Sequence, residues 1–362
     1  MMKRLYVTAT KLNDGKTVVA LGICSLLVDK GKRCAFIKPL GLKDVRTPGY
    51  EVDEDALLLE RALKLHAHIQ DMSPITVDRT SIDEFTKSDK QKELLTQIEE
   101  AFARVTKDAD VVVVEGTGHA GVGSVFGLSN ARVAAHLKCK VLLVTSGGVG
   151  HPLDEVALNM SLFQKCGVEV IGVVFNKVRS HEIEKIKTVG ADVLKRLGTR
   201  LLGIIPYNRV LDCPTMMDIL ERLRGRLLLG EKHLSNRVET VQVGAMSAHN
   251  ALPRLKNRAL LITAGDRTDL LLAVAVRVLS DGGANRVAGV VLTGGILPDP
   301  KVLDVLRRLS LPVISVEDDS YTTATKVKTL DTKISPRDAV KIGLVRDIAA
   351  RYIDIDTILD IV

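Results

Sequence analysis

The chain predicts an α/β fold, a parallel sheet with helices on both faces followed by a second, smaller α/β unit, and three observations carry that expectation. Through roughly the first two hundred residues, short β-branched runs alternate with amphipathic stretches of helix length, as in a buried parallel sheet crossed by helices. After Pro206 and Pro214 the alternation restarts in smaller pieces. The length, 362 residues, exceeds one ordinary core and suits two domains.

In the first part, strands are expected at 5–8, 34–38, 111–115, 140–145, 168–176 and 201–205, each apolar and bounded by turn residues. A helix is expected at 18–27, after the loop that follows the first strand. A long insertion separates the second and third strands. It holds a helix at 53–66, whose Asp53-Glu54-Asp55 start suits the helix dipole, then a polar stretch at 75–88 and a charged amphipathic helix at 90–106. In the second part a helix is expected at 216–224, a hairpin-like run at 239–243, and an alternation through 259–263, 270–279, 287–293, 302–309 and 313–316. Residues 336–362 carry a helical apolar pattern through Val340, Ile342, Leu344, Val345, Ile348 and Ile353, suited to packing on a domain or a partner. Domains are therefore expected at 1–210 and 211–330, with a helical tail at 331–362.

Composition narrows the function classes. The apolar content of 46% with 26% charged residues is that of a folded soluble protein. No apolar run reaches the roughly 18 residues that span a bilayer, and Met1-Met2-Lys3-Arg4 leads straight into a strand, so no membrane association and a cytoplasmic location are expected. Cys24, Cys34, Cys139, Cys166 and Cys213 are scattered without a C-x-x-C pair, which argues against zinc and against a disulfide framework. The net charge of +7 favours anionic ligands. With 3% aromatic residues and no Trp, stacking platforms for single-stranded nucleic acid are scarce, and no nucleic-acid partner is expected.

The segment Thr10-Lys11-Leu12-Asn13-Asp14-Gly15-Lys16-Thr17, running into Val18, lies between strand and helix. That is the layout of a phosphate-binding P-loop, in which backbone N–H groups and a helix N-terminus wrap phosphate oxygens. Lys16 is placed for the outer phosphates and the Thr17 hydroxyl for Mg²⁺. Thr10 stands where G-x-x-x-x-G-K-[ST] begins with glycine. Glu115 ends the run Val111-Val112-Val113-Val114, and active groups of open parallel sheets collect beyond the carboxyl ends of strands. A hard cation bridging phosphates wants one or two carboxylates, which Glu115 with Thr17 would satisfy. The glycine-rich run Gly116 to Gly123 suits a loop that reports phosphate state, and His119 within it carries little weight. Lys38 closes the second strand, where it can pair with phosphate or a substrate carboxylate, or serve as an ordinary surface lysine. Asn176 ends the fifth strand, where its amide can read a purine edge or simply make a turn.

Taken in order, T-x-x-x-x-G-K-T, Lys38-Pro39, Asp55-Ala56-Leu57, Val114-Glu115-Gly116, Asn176 and Leu202-Gly203-Ile204-Ile205-Pro206 resemble dethiobiotin synthetase over about residues 1–208. The resemblance implies a P-loop NTPase sheet in which Lys16 and Thr17 hold ATP and Mg²⁺, Asp55 and Glu115 complete the metal site, and Lys38 faces phosphate and substrate. It also implies that Asn176, with Pro206, lies at the adenine. Lys11 falls where the related MinD/ParA ATPases carry a lysine that reaches a partner subunit's nucleotide, which makes a homo-oligomer conceivable. In the second part, Val243-Gly244-Ala245-Met246, Asn250-Ala251-Leu252-Pro253, Thr263-Ala264-Gly265-Asp266-Arg267-Thr268-Asp269 and Leu292-Thr293-Gly294-Gly295 resemble a DRTGG domain. The two together are similar to the portion that precedes the catalytic domain in long phosphotransacetylases. The chain stops at Val362, where that domain would begin, so phosphate acetyltransferase activity is not expected from it.

Asp266, Arg267, Thr293, Gly294 and Gly295 are expected at strand ends on one edge of the small sheet. There Arg267 could hold an anionic ligand or a neighbouring subunit, or form an internal pair with Asp266. Three functions are compatible with these residues. The first is an ATP- and Mg-binding regulatory protein, a slow ATPase at most, that controls assembly or a metabolic partner such as a separate acetyltransferase. The second is an ATP-dependent ligase that activates a carboxylate, with Lys16, Lys38 and Glu115 catalytic. The third is an oligomerisation module with a vestigial loop.

Overall fold

The computed structural model describes residues 2–41, 44–47, 50–77, 88–280, 287–330 and 332–362. They gather into two compact units: Met1–Asn208 with Ile334–Val362, and Arg209–Lys333.

The first unit is built on β1 (Lys3–Ala9), β2 (Cys34–Ile37), β5 (Val111–Glu115), β6 (Lys140–Ser146), β7 (Val170–Val178) and β8 (Leu201–Pro206). They form one parallel sheet in the order β2-β5-β1-β6-β7-β8. Successive strands leave β1 first on one side and then on the other. This opens a crevice at the carboxyl ends of β5, β1 and β6, the place where open α/β sheets bind ligands. The insertion contributes an antiparallel pair, β3 (Asp44–Thr47) with β4 (Tyr50–Asp53), which the sequence reading had not placed. Its longer helices are α2 (Glu54–Leu63) and α3 (Ser88–Thr106), with a single turn at Ile69–Met72 between them. Most of the polar stretch expected at 75–88 lies outside the described residues.

Helix α1 (Lys16–Asp29) is apolar nearly all round, with Val19 to Leu27 buried. Such a helix must be covered on both sides. The sheet covers one side, and the C-terminal segment covers the other: Ala349 and Val345 of α11 (Ala339–Tyr352) close on Gly22 so tightly that a Cβ there would come within 2.6 Å of Ala349 Cβ. The apolar pattern over 336–362 forms two helices, because the chain turns extended at Ile353, which bridges to Gly203, before α12 (Ile355–Ile361). Lys140 Nζ donates to the Ile361 carbonyl at 2.9 Å, and Lys3 donates to the Leu359 carbonyl. Both place positive charge at a helix C-terminus. Further helices of this unit are α4 (Asn130–His136), α5 (His151–Lys165) and α6 (Ala191–Arg196).

The second unit contains β9 (Arg226–Leu229), β10 (Thr240–Val243), β11 (Ala259–Ala264), β12 (Val287–Thr293) and β13 (Val313–Ser315) in the order β10-β11-β12-β13-β9. Only β9 runs antiparallel. One core lies against α8 (Thr268–Ser280) and α9 (Pro300–Leu306), and a second lies on the opposite face, against α7 (Met216–Leu223) and α10 (Ser320–Lys328). The run at 239–243 is a correction: β10 is an edge strand parallel to β11, not part of a hairpin. Alternation marks a half-exposed strand but carries no direction, and here a helical connection through 248–254 returns the chain parallel.

Candidate nucleotide site

The loop after β1 is tied by its own residues. Thr10, 1% exposed, donates its hydroxyl to Asp14 Oδ2 at 2.8 Å and lies 3.0 Å from Thr145 Oγ1. Asp14 Oδ2 also accepts from the Lys11 amide at 3.0 Å, and Asp14 Oδ1 accepts from Ser146 Oγ at 2.5 Å. A buried carboxylate with three donors is well satisfied, and the pairing explains why a threonine can open this loop. Asn13 and Gly15 take left-handed φ of 66° and 86°, a conformation that glycine adopts without strain. Helix α1 then begins at Lys16 without a side-chain cap. Its first N–H groups therefore have no side-chain acceptor at the cap position.

Two ammoniums and three carboxylates meet at the end of β5. Thr17 Oγ1 donates to Glu115 Oε1 at 2.8 Å, and Lys16 Nζ lies 3.7 Å from the same oxygen. Lys38 Nζ is 3.5 Å from Glu115 Oε1 and 3.0 Å from Asp53 Oδ1, and it is hydrogen-bonded to Asp55. Lys38 is 3% exposed and Glu115 is fully buried. Burial opposes the charge on Lys38, yet Glu115, Asp55 and Asp53 together hold its ammonium above the ordinary lysine value. Burial likewise pushes the Glu115 carboxyl up, against the pull of Lys38. With all five groups ionised, one negative charge is in excess. Glu115 Oε2 is buried without a hydrogen-bond partner. That orphaned oxygen beside a threonine hydroxyl fits a hard divalent cation that shares its remaining positions with phosphate and water.

Asp55, expected at the metal site, and Lys38, expected to face phosphate and substrate, are hydrogen-bonded to each other beside Glu115. Among the described residues, no three His, Cys, Asp or Glu side chains are grouped to hold a metal by themselves. The carboxylates converge on Lys38. Asp53, read from the sequence as part of a helix start, both caps α2 through the Asp55 amide at 2.9 Å and completes this cage.

Asn176 is 3% exposed, donates from Nδ2 to the Asp14 carbonyl at 2.9 Å, and accepts the Lys177 amide at 2.9 Å. Its amide therefore braces the loop from behind. Pro206 pairs with Val178 at the end of β8. Beside the next residues along the chain, Lys177 and Tyr207, opens a cavity of about 680 Å³ that Ser146, Gly147, Arg179 and Glu182 also line. The sequence reading missed Ser146, Arg179 and Tyr207. Their position at the end of β6 and just beyond the ends of β7 and β8 was the available signal. His119 is exposed, and its Nδ1 accepts the Gly121 amide at 3.2 Å.

In the second unit Arg267 donates to Asp269 at 2.9 and 3.0 Å, to the Gly244 carbonyl at 2.9 Å and to the Met246 carbonyl at 2.7 Å. Its acidic partner is Asp269, not Asp266. Arg267 thereby stitches the loop after β10 to the loop after β11. Gly294 and Gly295, at φ 78° and 65°, stitch the next two loops through amides given to the Asp318 and Val316 carbonyls, while Thr293 Oγ1 lies 2.7 Å from Ser320 Oγ.

The chain is 28% identical to a phosphate acetyltransferase of Nitratidesulfovibrio vulgaris, over 98% of this chain and 51% of that protein. It is 26% identical to one of Pseudomonas putida, again over 98% and 51%. The chain thus spans about half the length of these curated relatives. Among solved structures it is similar to the septum site-determining protein MinD of Pyrococcus horikoshii, solved with Mg-ADP, at 15% identity and a TM-score of 0.36, over 58% of this chain and 84% of that one. A DRTGG domain model matches residues 218–330. An AAA domain model matches residues 3–215, more than half the chain, and the protein belongs to that family.

Proposed function

We propose that the protein binds ATP with Mg²⁺ in the crevice of the first unit and acts as a regulatory module akin to the non-catalytic part of phosphate acetyltransferases, signalling nucleotide state to a partner. The observation that carries this reading is the meeting of Thr17, Lys16 and the half-unsatisfied Glu115 at an uncapped helix start. Thr17 and Glu115 would hold the ion, which would neutralise phosphate charge. Lys16 would pair with the outer phosphates, and the loop amides shaped by Asp14 and Asn176 would wrap the inner ones. The cavity beside Lys177 has room for a nucleoside, and the half-exposed Tyr207 offers it an aromatic face. Lys11, at the loop's mouth, is the residue through which a second copy would be sensed. Homo-oligomer formation, a separate acetyltransferase or other metabolic enzyme as partner, and a cytoplasmic setting complete the proposal.

The ligase alternative needs Lys38 presented to a substrate, whereas Lys38 is sealed among three carboxylates. Titration calorimetry of ATP·Mg with the full chain and with Lys16→Ala is the test. Binding is expected in the first, with a loss of about 100-fold or more in the second, as for removal of a charge-assisted phosphate contact. No binding by the unaltered chain would overturn the proposal. ADP release stimulated by a small carboxylate would favour the ligase.

A further inference from the structure

Asn159, midway along α5 and 4% exposed, divides its amide between two loops of the site. Nδ2 donates to the Thr10 carbonyl at 3.1 Å and to the Glu155 carbonyl at 2.8 Å, while Oδ1 accepts the Ala120 amide at 2.8 Å. Thr10 opens the phosphate loop, and Ala120 belongs to the segment that follows Glu115. The two stretches meet again where the Gly118 carbonyl accepts the Ala9 amide at 3.1 Å and Thr8 Oγ1 at 3.0 Å. Asn159 alone among these groups comes from a third element, so it references both loops to a rigid helix. Asn130 is a useful contrast. It accepts from Tyr6 Oη at 2.8 Å and from the Thr117 amide at 3.1 Å, and it donates to the Thr117 and His119 carbonyls at 2.8 and 2.6 Å. It fixes the shape of residues 117–119 but makes no contact with the phosphate loop in this set of bonds.

We propose that Asn159 is a positioning residue that couples the phosphate loop to residues 117–123, so that a triphosphate in the cradle is felt at that segment. The inference rests on the nucleotide reading above and adds the route. A ligand shifts a second site only through a contact that differs between the two states. The Thr10 carbonyl shares its peptide group with the Lys11 amide, which is given to Asp14 Oδ2 at 3.0 Å, so it would turn with that amide if the amide swung to phosphate. Because the Thr10 carbonyl would lose this donor if Asn159 stayed behind, the side chain moves with the loop and carries Ala120, whose amide is held on its Oδ1.

The test is amide hydrogen exchange over residues 117–123, with and without ATP·Mg, run beside calorimetry on the full chain, Asn159→Leu and Asn159→Asp. Nucleotide is expected to slow exchange there by about tenfold in the unaltered chain. In Asn159→Leu the nucleotide should still bind within about tenfold of the original affinity, the worth of one hydrogen bond, but leave exchange at 117–123 unchanged. In Asn159→Asp the response should be absent at neutral pH and return toward pH 5, because a protonated carboxyl again offers one donor to Thr10 and one acceptor to Ala120. Such a return is not expected of a residue needed only for folding, and it keeps the test open if the leucine variant does not fold. Binding without protection in the unaltered chain, a persistent response in Asn159→Leu, or a response in Asn159→Asp that ignores pH would each overturn the coupling while leaving the nucleotide reading intact. Absence of calorimetric binding in the unaltered chain would remove both.

Discussion

Asn176 Nδ2 stands only 2.2 Å from where a Cβ on Gly15 would lie. The brace behind the phosphate loop therefore requires glycine at this position, for space as well as for its φ of 86°. Gly15→Ala is expected to push Asn176 off the Asp14 carbonyl and to cost about 1–3 kcal/mol of stability, the range for a strained left-handed residue. ATP·Mg affinity should fall with it, as read by thermal unfolding together with calorimetry. An alanine variant of unchanged stability and affinity would show that the brace is dispensable.

Glu115 sets stability against function. Its folded-state carboxyl is raised, chiefly by burial, so folding favours the protonated form. The relative stabilisation is complete below the unfolded value near pH 4.3 and is lost as pH rises through the raised folded value. Above that value the buried carboxylate is a cost. Glu115→Gln is thus expected to raise stability at pH 7–8 by on the order of 1 kcal/mol, about 2–4 °C in Tm, with the gain shrinking as pH falls toward 4. The same variant should lose the magnesium dependence of nucleotide binding. A destabilised variant at neutral pH would mean that Lys16 and Lys38 more than offset the burial.

Arg267 holds the Asp269 carboxyl down at about 2 through their side-chain hydrogen bonds. A depressed carboxyl contributes stability above its unfolded value near 3.9 and loses it as pH falls through the folded one. Removing the guanidinium in Arg267→Ala should return Asp269 toward the ordinary carboxylate range, followed by carboxyl NMR titration. Acid unfolding of the second unit should shift to higher pH. The loops after β10 and β11, having lost the Arg267 tie to the Gly244 and Met246 carbonyls, should exchange faster.

Much of the fold was legible before the structure. The run Val111 to Glu115 reads as a strand buried on both faces, and it is the neighbour of β1 with all five residues buried. The T-x-x-x-x-G-K-T pattern gave the loop, and Lys16, Thr17 and Glu115 do meet there. Less legible were residues whose role depends on what lies opposite. Asp53 and Asp55 look like helix-start carboxylates and act as such, but they also cage Lys38. Asn130 and Asn159 look like ordinary helix residues, and nothing near them in the chain points to loops far away in sequence.

By itself the sequence determined the α/β class and the P-loop with its lysine and threonine, because apolar periodicity and turn chemistry act over a few residues and are written locally. Tertiary structure alone decided which carboxylate meets which ammonium, the parallel direction of β10, the covering of α1 by the C-terminal helices, and the bridge of Asn159 between two loops. Those pairings join groups separated by tens to hundreds of residues. Their geometry follows from strand order and burial, which no local pattern encodes.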